Sequence, residues 1–367
     1  MPNFLTFGIT CYNKETTILK SIYSCLEVKK VFNSLIEIII VDDNSKDKSL
    51  QKIKCHFEKK IKIIKLSHNK GVSNARNEII KRSNAKYLTF VDADDEVNIK
   101  GFIAFINFLK SKKNKNYELI FGNYSNINSD NKKIRKIVNF STKSLLPKNY
   151  IIDSIQDYLI KPNKVNLFVQ CFAKIYSTKY LRNHQILFNE GLQNFEDVEF
   201  LAKCLKKSNF VMGVNFDLYT HKIYLPGNSE TYSSTRSIQS HLGFLAAIDL
   251  MAECLIELIK QESFKNKNIY ENININFLKN QAKGSYICIT SVMQSFRIKN
   301  LNSLFEFTTQ IRKAFSSQEI RIAMKSYNPK ISGGSKFLAL SIKYNLWLIA
   351  SIISFFKFRK RYKFKNY

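Results

Sequence analysis

The sequence predicts an α/β protein with a mixed, mostly parallel central sheet flanked by helices, followed by a helical C-terminal region. Two observations carry this. Between Asn3 and Val91 short apolar runs alternate with stretches of helical periodicity, as parallel βαβ units do, and from Ser237 to Met324 the pattern turns helical throughout. With 367 residues, 45% hydrophobic and 13% aromatic, the chain can fill one large domain with an appendage, or two domains. Disorder, a collagen-like repeat and a disulfide-stapled miniprotein are excluded.

The first strand is Leu5 to Thr10, and the helix Glu15 to Lys29 follows with Ile18, Ile22, Cys25 and Leu26 on one face. Glu37 to Val41 is a near-continuous Ile/Val run, the signature of a strand covered on both sides. A helix over Asp47 to Glu58, a strand over Ile61 to Leu66, a helix over Val72 to Arg82 and a strand over Tyr87 to Val91 complete four strands with three crossovers. A helix at Ile99 to Lys110 and a strand at Leu119 to Gly122 come next, then a Lys/Asn-rich stretch, Asn126 to Lys136, that reads as an exposed hairpin or loop. Residues 148–220 continue mixed α and β. Further on, Leu242, Leu245, Ala246, Leu250, Leu255 and Ile259 make an apolar helical face. The expected division is 1–235, with halves 1–100 and 101–235, then a helical region at 236–330 and a tail at 331–367.

Fifty-eight Lys and Arg against 29 Asp and Glu give a formal charge of +29, which suits a phosphate-rich partner or an anionic membrane. Lys and Asn are abundant along the whole chain, so a compositional bias over many solvated faces explains the excess equally well. The seven cysteines include no CxxC pair and no His at metal-ligand spacing, and they read as reduced core residues. The N-terminal run enters a strand without the basic and apolar regions of a secretory signal, so a cytoplasmic protein is expected. In the tail, Phe337 to Phe356 is largely apolar and a run of Lys and Arg from Lys357 follows it. The uninterrupted part, Tyr344 to Phe356, is shorter than the roughly 20 residues a spanning helix needs. It reads either as an in-plane anchor on the inner face of the cytoplasmic membrane or as a packed helix with a basic end.

Ligands of open α/β sheets bind outside the carboxyl ends of the strands. The polar residues there are Thr10, Tyr12 and Asn13, then Asp42, Asp43 and Asn44, then Asp92, Asp94 and Asp95. Phe90-Val91-Asp92-Ala93-Asp94-Asp95 crowds three carboxylates with no Lys or Arg between them. Like charges so close call for a counterion, and a hard divalent ion that also holds a diphosphate fits the need. Asp42-Asp43 precedes Asn44-Ser45-Lys46-Asp47, a capping composition, although one carboxylate there could accept from a nucleobase N–H.

Four ordered segments together resemble the family 2 glycosyltransferases of bacterial surface-polysaccharide type, with the GT-A (Rossmann-like) fold. They are Ile9 to Asn13 with Glu15, Ile39 to Ser45 with Asp47, Asn69 to Asn77, and Phe90 to Asp95. The resemblance implies that Thr10, Tyr12 and Glu15 line a nucleotide pocket. It further implies that Asp42 reads the uracil edge, Arg76 lies near the base or phosphates, Asp92 contacts the ribose, and Asp94 holds a Mn²⁺ or Mg²⁺ bridging the diphosphate. Cys11 departs from many relatives, which carry Pro there. Asn166 to Asp197 is similar to the acceptor side of these enzymes, and in Phe195-Glu196-Asp197 the general base is expected at Asp197, with Glu196 second. The same acidic pair also suits a helix start. His221, with Lys222 and the loop Pro226 to Ser229, resembles the segment that closes over the donor diphosphate, and His221 is a candidate metal ligand.

The implied activity is inverting transfer from a UDP-sugar to a glycan or lipid-linked glycan acceptor, with peripheral membrane contact through the tail and no nucleic-acid partner. Absence of GxGxxG and GxxxxGK[ST] excludes dinucleotide oxidoreductases and P-loop NTPases. A sugar-nucleotide pyrophosphorylase would need a Gly-rich loop where Thr10 to Lys14 stands. A basic nucleic-acid-binding protein and a non-catalytic glycosyltransferase-like protein are the alternatives.

Overall fold

The computed structural model describes residues 3–112, 115–128, 132–162, 167–223, 238–263 and 272–363. Two compact units divide the chain: Met1–Pro147, Leu167–Leu192 and Glu196–Ile223 form the first, and Lys148–Asn166, Gln193–Phe195 and Tyr224–Tyr367 the second. The sequence suggested a single cut near residue 235, which lies outside the described residues. The segments 148–166 and 193–195 instead join the second unit although they interrupt the first.

The first unit opens with β1 (Leu5–Cys11), α1 (Ile18–Phe32), β2 (Ile36–Asp42), α2 (Ser49–Phe57), β3 (Lys62–Lys65), α3 (Val72–Arg82) and β4 (Tyr87–Asp92). These strands run parallel in the order β3-β2-β1-β4, as the alternating pattern predicted. The register sets Cys11 beside Asp42 and Thr10 beside Asp92, so both acidic motifs leave the sheet at one edge. Phe7, Ile9, Ile38 and Ile40 on one face, and Ile39 and Val41 on the other, lie at 0–2% exposure, which removes the apolar runs from water on both sheet faces. At Gly8 a Cβ would come 2.4 Å from Ile79 Cγ2, so the missing side chain lets α3 lie close on β1.

Next come β5 (Glu96–Val97), α4 (Ile99–Ser111), β6 (Leu119–Ile127), β7 (Lys133–Ile137) and β8 (Ser144–Leu145), then α5 (Lys148–Ile160) of the second unit. They are followed by β9 (Lys174–Ser177), α6 (Thr178–Asn183), α7 (Glu196–Lys207) and β10 (Val211–Lys222). Here the sheet becomes mixed: β9 runs antiparallel to both β4 and β6, while β10 is parallel to β6. The expected exposed hairpin is the antiparallel pair β6–β7, and β6 runs five residues beyond the predicted end.

The second unit is helical: α5, then α8 (Phe244–Ser263), α9 (Ile275–Gln294), α10 (Leu301–Ala314), α11 (Gln318–Ser326), α12 (Pro329–Ser332), α13 (Lys336–Lys343) and α14 (Trp347–Lys363). Asn274, Asn300, Ser317, Asn328 and Ser335 each accept a backbone N–H at a helix start, satisfying donors the helix leaves open. The buried Lys283 ammonium is held by Asp249 and Glu319. In α8 the buried face is Phe244, Ile248, Met251 and Leu255, and Ala246 of the expected face is exposed. Leu242 lies in a 3₁₀ turn before the helix, so a phase counted from it does not carry into α8. In the tail, Asn345 at φ 60° breaks the apolar run into α13 and α14. Among the described residues no helix is long and apolar enough to cross a membrane.

Candidate active site

The carboxyl edge of β1, β2 and β4 carries the site. After β1 and β2 the chain turns at Asn13 (φ 51°) and Asn44 (φ 60°), a left-handed conformation Asn tolerates better than most residues. The two loops are laced together. Asn13 N–H donates to Ser45 Oγ (3.0 Å), Lys46 N–H to Asn13 Oδ1 (2.8 Å) and Lys48 N–H to the Glu15 carboxylate (2.9 Å). Thr10 and Tyr12 are partly buried at the end of β1.

The acidic pair after β2 is spent on this scaffold. Asp42 is fully buried, and its carboxylate accepts from Ser45 N–H (3.2 Å) and Ser45 Oγ (2.5 Å). Asp43, 3% exposed, accepts from the Lys70 and Gly71 amides at 2.7 and 2.8 Å and so fixes the entry to α3. The carboxylate expected to read a nucleobase thus also caps its own turn.

The second acidic cluster is bound by side-chain cations. Arg76, 4% exposed on α3, donates Nη2 to Asp92 Oδ1 (3.2 Å), and Nη1 to Asp197 Oδ1 (2.6 Å) and Glu196 Oε1 (3.2 Å). Its guanidinium carbon lies 5.2 Å from the centre of the Phe188 ring. Desolvation opposes the charge, but Asp197, Asp92 and Glu196 hold the guanidinium well above its ordinary pKa. Arg76 is therefore a buried clamp on three carboxylates, a role that its expected place beside the base or phosphates did not include. Asp197 Oδ2 also accepts from the Cys171 amide (3.1 Å), so both oxygens of the expected base are oriented. Asn77, one residue after the clamp, holds the chain leading to α7 by donating to Phe188 O (3.0 Å) and accepting from Phe188 N–H (2.8 Å).

Asp94 takes a different partner, Lys14 Nζ at 2.5 Å, from the loop after β1. Asp95 is buried and accepts from the Lys222 amide (2.7 Å); burial and the neighbouring Asp94 and Asp92 charges push its carboxyl well up. The charge crowding that called for a metal is thus relieved within the protein: Lys14, Arg76 and a backbone amide reach the three aspartates from distant parts of the sequence. Sequence spacing could not show this, since Lys14 and Asp94 are 80 positions apart. Lys14 is a functional residue the sequence reading missed, and its one local signal is its place after a left-handed Asn at a strand end.

His221, near the end of β10, is 3.2 Å from Asn126 Oδ1 through Nδ1 and packs 5.0 Å from the Phe172 ring. Burial lowers its imidazole to about 4, with the Asp94 charge acting the other way. At neutral pH it is uncharged and can serve as a ligand. Among the described residues no three His, Cys, Asp or Glu side chains converge on a metal position. The Asp94 charge acts on His221, so the two expected metal ligands lie in one neighbourhood. The loop Pro226 to Ser229 lies outside the described residues.

A mixed sheet with acidic, cation-clamped side chains at its carboxyl edge places the candidate site where open α/β sheets bind ligands. Residues 6–183 match the family model described as Glycosyl transferase family 2. It is 30% identical over 241 residues to a teichoic acid poly(glycerol phosphate) polymerase of Staphylococcus epidermidis, covering 63% of this chain and 30% of that protein. It is 25% identical over 203 residues to the succinoglycan biosynthesis protein ExoO of Rhizobium meliloti, covering 55% of each. The chain thus spans between about a third and about half the length of these relatives. In structure it is similar to S. aureus TarS 1–349 crystallised with UDP-GlcNAc, with a TM-score of 0.61 at 18% identity, covering 98% of this chain and 92% of that one. The two share the GT-A fold.

Proposed function

We propose that the first unit moves a glycosyl group from a UDP-sugar to a hydroxyl of a glycan or lipid-linked glycan, with inversion, in the assembly of a cell-surface polysaccharide. The observation that carries this is the Arg76 clamp, because one guanidinium brings Asp92, at the end of β4, together with Glu196 and Asp197, the candidate bases. Relatives named for teichoic acid and succinoglycan synthesis, and a similar fold crystallised with UDP-GlcNAc, support the substrate class.

In this reading Asp197 takes the proton of the acceptor hydroxyl, that oxygen bonds to the anomeric carbon from the far side, and the bond to the β-phosphate oxygen breaks with its electron pair leaving on UDP. Arg76 and the Cys171 amide hold Asp197 aimed, while each carboxylate oxygen keeps a further lone pair for the proton. Lys14 supplies a positive charge beside Asp94, where the diphosphate departs. Asp94 and His221 would hold a Mn²⁺ or Mg²⁺ that neutralises the leaving group. Thr10 and Tyr12 face the nucleotide from the end of β1.

The reaction takes place at a membrane surface reached by the C-terminal helices. Supporting this, Phe337, Tyr344, Leu346, Ile349 and Phe356 are exposed on α13, α14 and the turn between them. From Ile320 to Tyr367 the sequence has Lys and Arg but no Asp or Glu.

The test is UDP release from a panel of UDP-sugars, with Mn²⁺, with Mg²⁺ and with chelator, comparing the parent enzyme with Asp197→Asn and Glu196→Gln. One donor turning over, and loss of turnover in Asp197→Asn, supports the reading. Unchanged turnover in Asp197→Asn would remove Asp197 as base, and no release from any donor would overturn the activity.

A further inference from the structure

A cleft of about 400 Å³ lies within the second unit, and no residue of the proposed chemistry lines it. Ile289 and Val292 of α9 and Leu338 of α13 give it an apolar lining, and Lys357, Lys360 and Arg361 of α14 supply its cations. Those three stand at i, i+3 and i+4, so one helix face presents all of them together. Ser335, the N-cap of α13, also lines the cleft, so the positive end of that eight-residue helix adds to the same field. The floor is shaped by a close approach, since a Cβ on Gly334 would come 2.3 Å from the Tyr327 hydroxyl oxygen. No carboxylate lines the cleft or occurs in the sequence after Glu319. Beside it, exposed Phe337 and Phe356 continue the apolar surface outward.

A cationic rim over an apolar floor is complementary to one chemistry: a phosphate head carrying a hydrocarbon chain. We infer that this cleft seats the headgroup of an anionic phospholipid, with the phosphate at Lys357, Lys360 and Arg361 and the first carbons of the chains against Ile289, Val292 and Leu338. The inference rests on the reading that the C-terminal helices meet a membrane, and gives that contact a specific point of attachment.

Partition of the full chain onto vesicles, without any sugar nucleotide, tests it, read by the emission shift of Trp347, the single Trp in the sequence. Vesicles containing phosphatidylglycerol are compared with pure phosphatidylcholine, with dihexanoyl phosphatidic acid or inorganic phosphate as soluble competitors. The triple variant Lys357→Glu, Lys360→Glu, Arg361→Glu should weaken partition at least about 100-fold, since losing each basic charge costs roughly 1 kcal/mol at an anionic surface and the new carboxylates add repulsion. A charge-matched triple, Arg312→Glu, Lys313→Glu, Arg321→Glu, at exposed positions outside the cleft, should cost less than about a tenth of that fold-change. Circular dichroism on both triples checks that they fold. The soluble amphiphile should compete and inorganic phosphate at the same concentration should not. Equal losses in the two triples, or equal competition by free phosphate, would overturn the cleft while leaving membrane contact standing. No binding to anionic vesicles would overturn both.

Discussion

Two acidic clusters close β2 and β4, the strands on either side of β1, and meet opposite fates. Asp42 and Asp43, after β2, are at most 3% exposed and give their oxygens to Ser45 and to the amides of Ser45, Lys70 and Gly71. Asp92 and Asp94, at the end of β4, keep 31% and 22% of their side chains open and pair with Arg76 and Lys14. Backbone amides are fixed in place, so carboxylates that bind them become part of the frame. Side-chain cations at a partly open edge can exchange one anion for another, which is what a site for a phosphate ester needs.

If this contrast is right, removing the cation at the β4 edge should do the greatest damage. Arg76→Met leaves Asp92, Glu196 and Asp197 without their shared charge. It should cost about 3–5 kcal/mol of unfolding free energy, measured by chemical denaturation, and abolish UDP release. A variant that unfolds like the parent would show that the three carboxylates are solvated and the clamp is incidental. Asp197→Asn keeps the shape but sets an NH₂ donor against either Arg76 or the Cys171 amide, so it should lower kcat by about 10²–10⁴-fold and cost about 1–3 kcal/mol of stability. At the β2 edge the outcome should reverse: Asp43→Asn replaces an acceptor oxygen facing an amide with an NH₂ donor. The expected cost is about 1–3 kcal/mol of stability, with kcat of the folded enzyme unchanged.

The difference between the clusters was only half legible in the sequence. The four parallel strands followed from the apolar runs, and α3 was predicted at its observed bounds, Val72–Arg82, because periodicity and the preceding Gly agree. Which acidic residues gather at the sheet edge was equally plain. What could not be read is which carboxylate meets which partner, because Lys14 to Asp94 and Arg76 to Asp197 are contacts across 80 and 121 positions. Asp42 looked like a ligand-binding residue since position alone does not reveal that Ser45 folds back onto it. The strand β9, antiparallel between β4 and β6, was likewise invisible: four residues carry no period, and pairing on both sides defines it.

The smallest effect concerns a third kind of charge, a buried cation without an ion-pair partner among the described residues: Lys174 is 4% exposed, and its ammonium donates to Gln170 O. Burial lowers it to about 8, with the Cys171 and Asp197 charges opposing. Because its folded value lies below the unfolded one of about 10.5, the unfolded chain binds more protons between these values, and the contribution to stability rises as pH climbs through that window. Lys174→Met should remove this slope. At pH 7.5 the variant gains about 1–3 kcal/mol from the deleted charge, offset in part by the lost hydrogen bond, and the gap should narrow toward pH 10. Buried phenols and thiols such as Tyr87 and Cys25, pushed up to about 12, pull stability down in the same range, but they act alike in both proteins and cancel in the difference. A variant less stable than the parent at pH 7.5, with a gap that does not narrow as pH rises, would mean that Lys174 is charged and well paired. Lys174 would then belong with Arg76 among the cations that hold the site together.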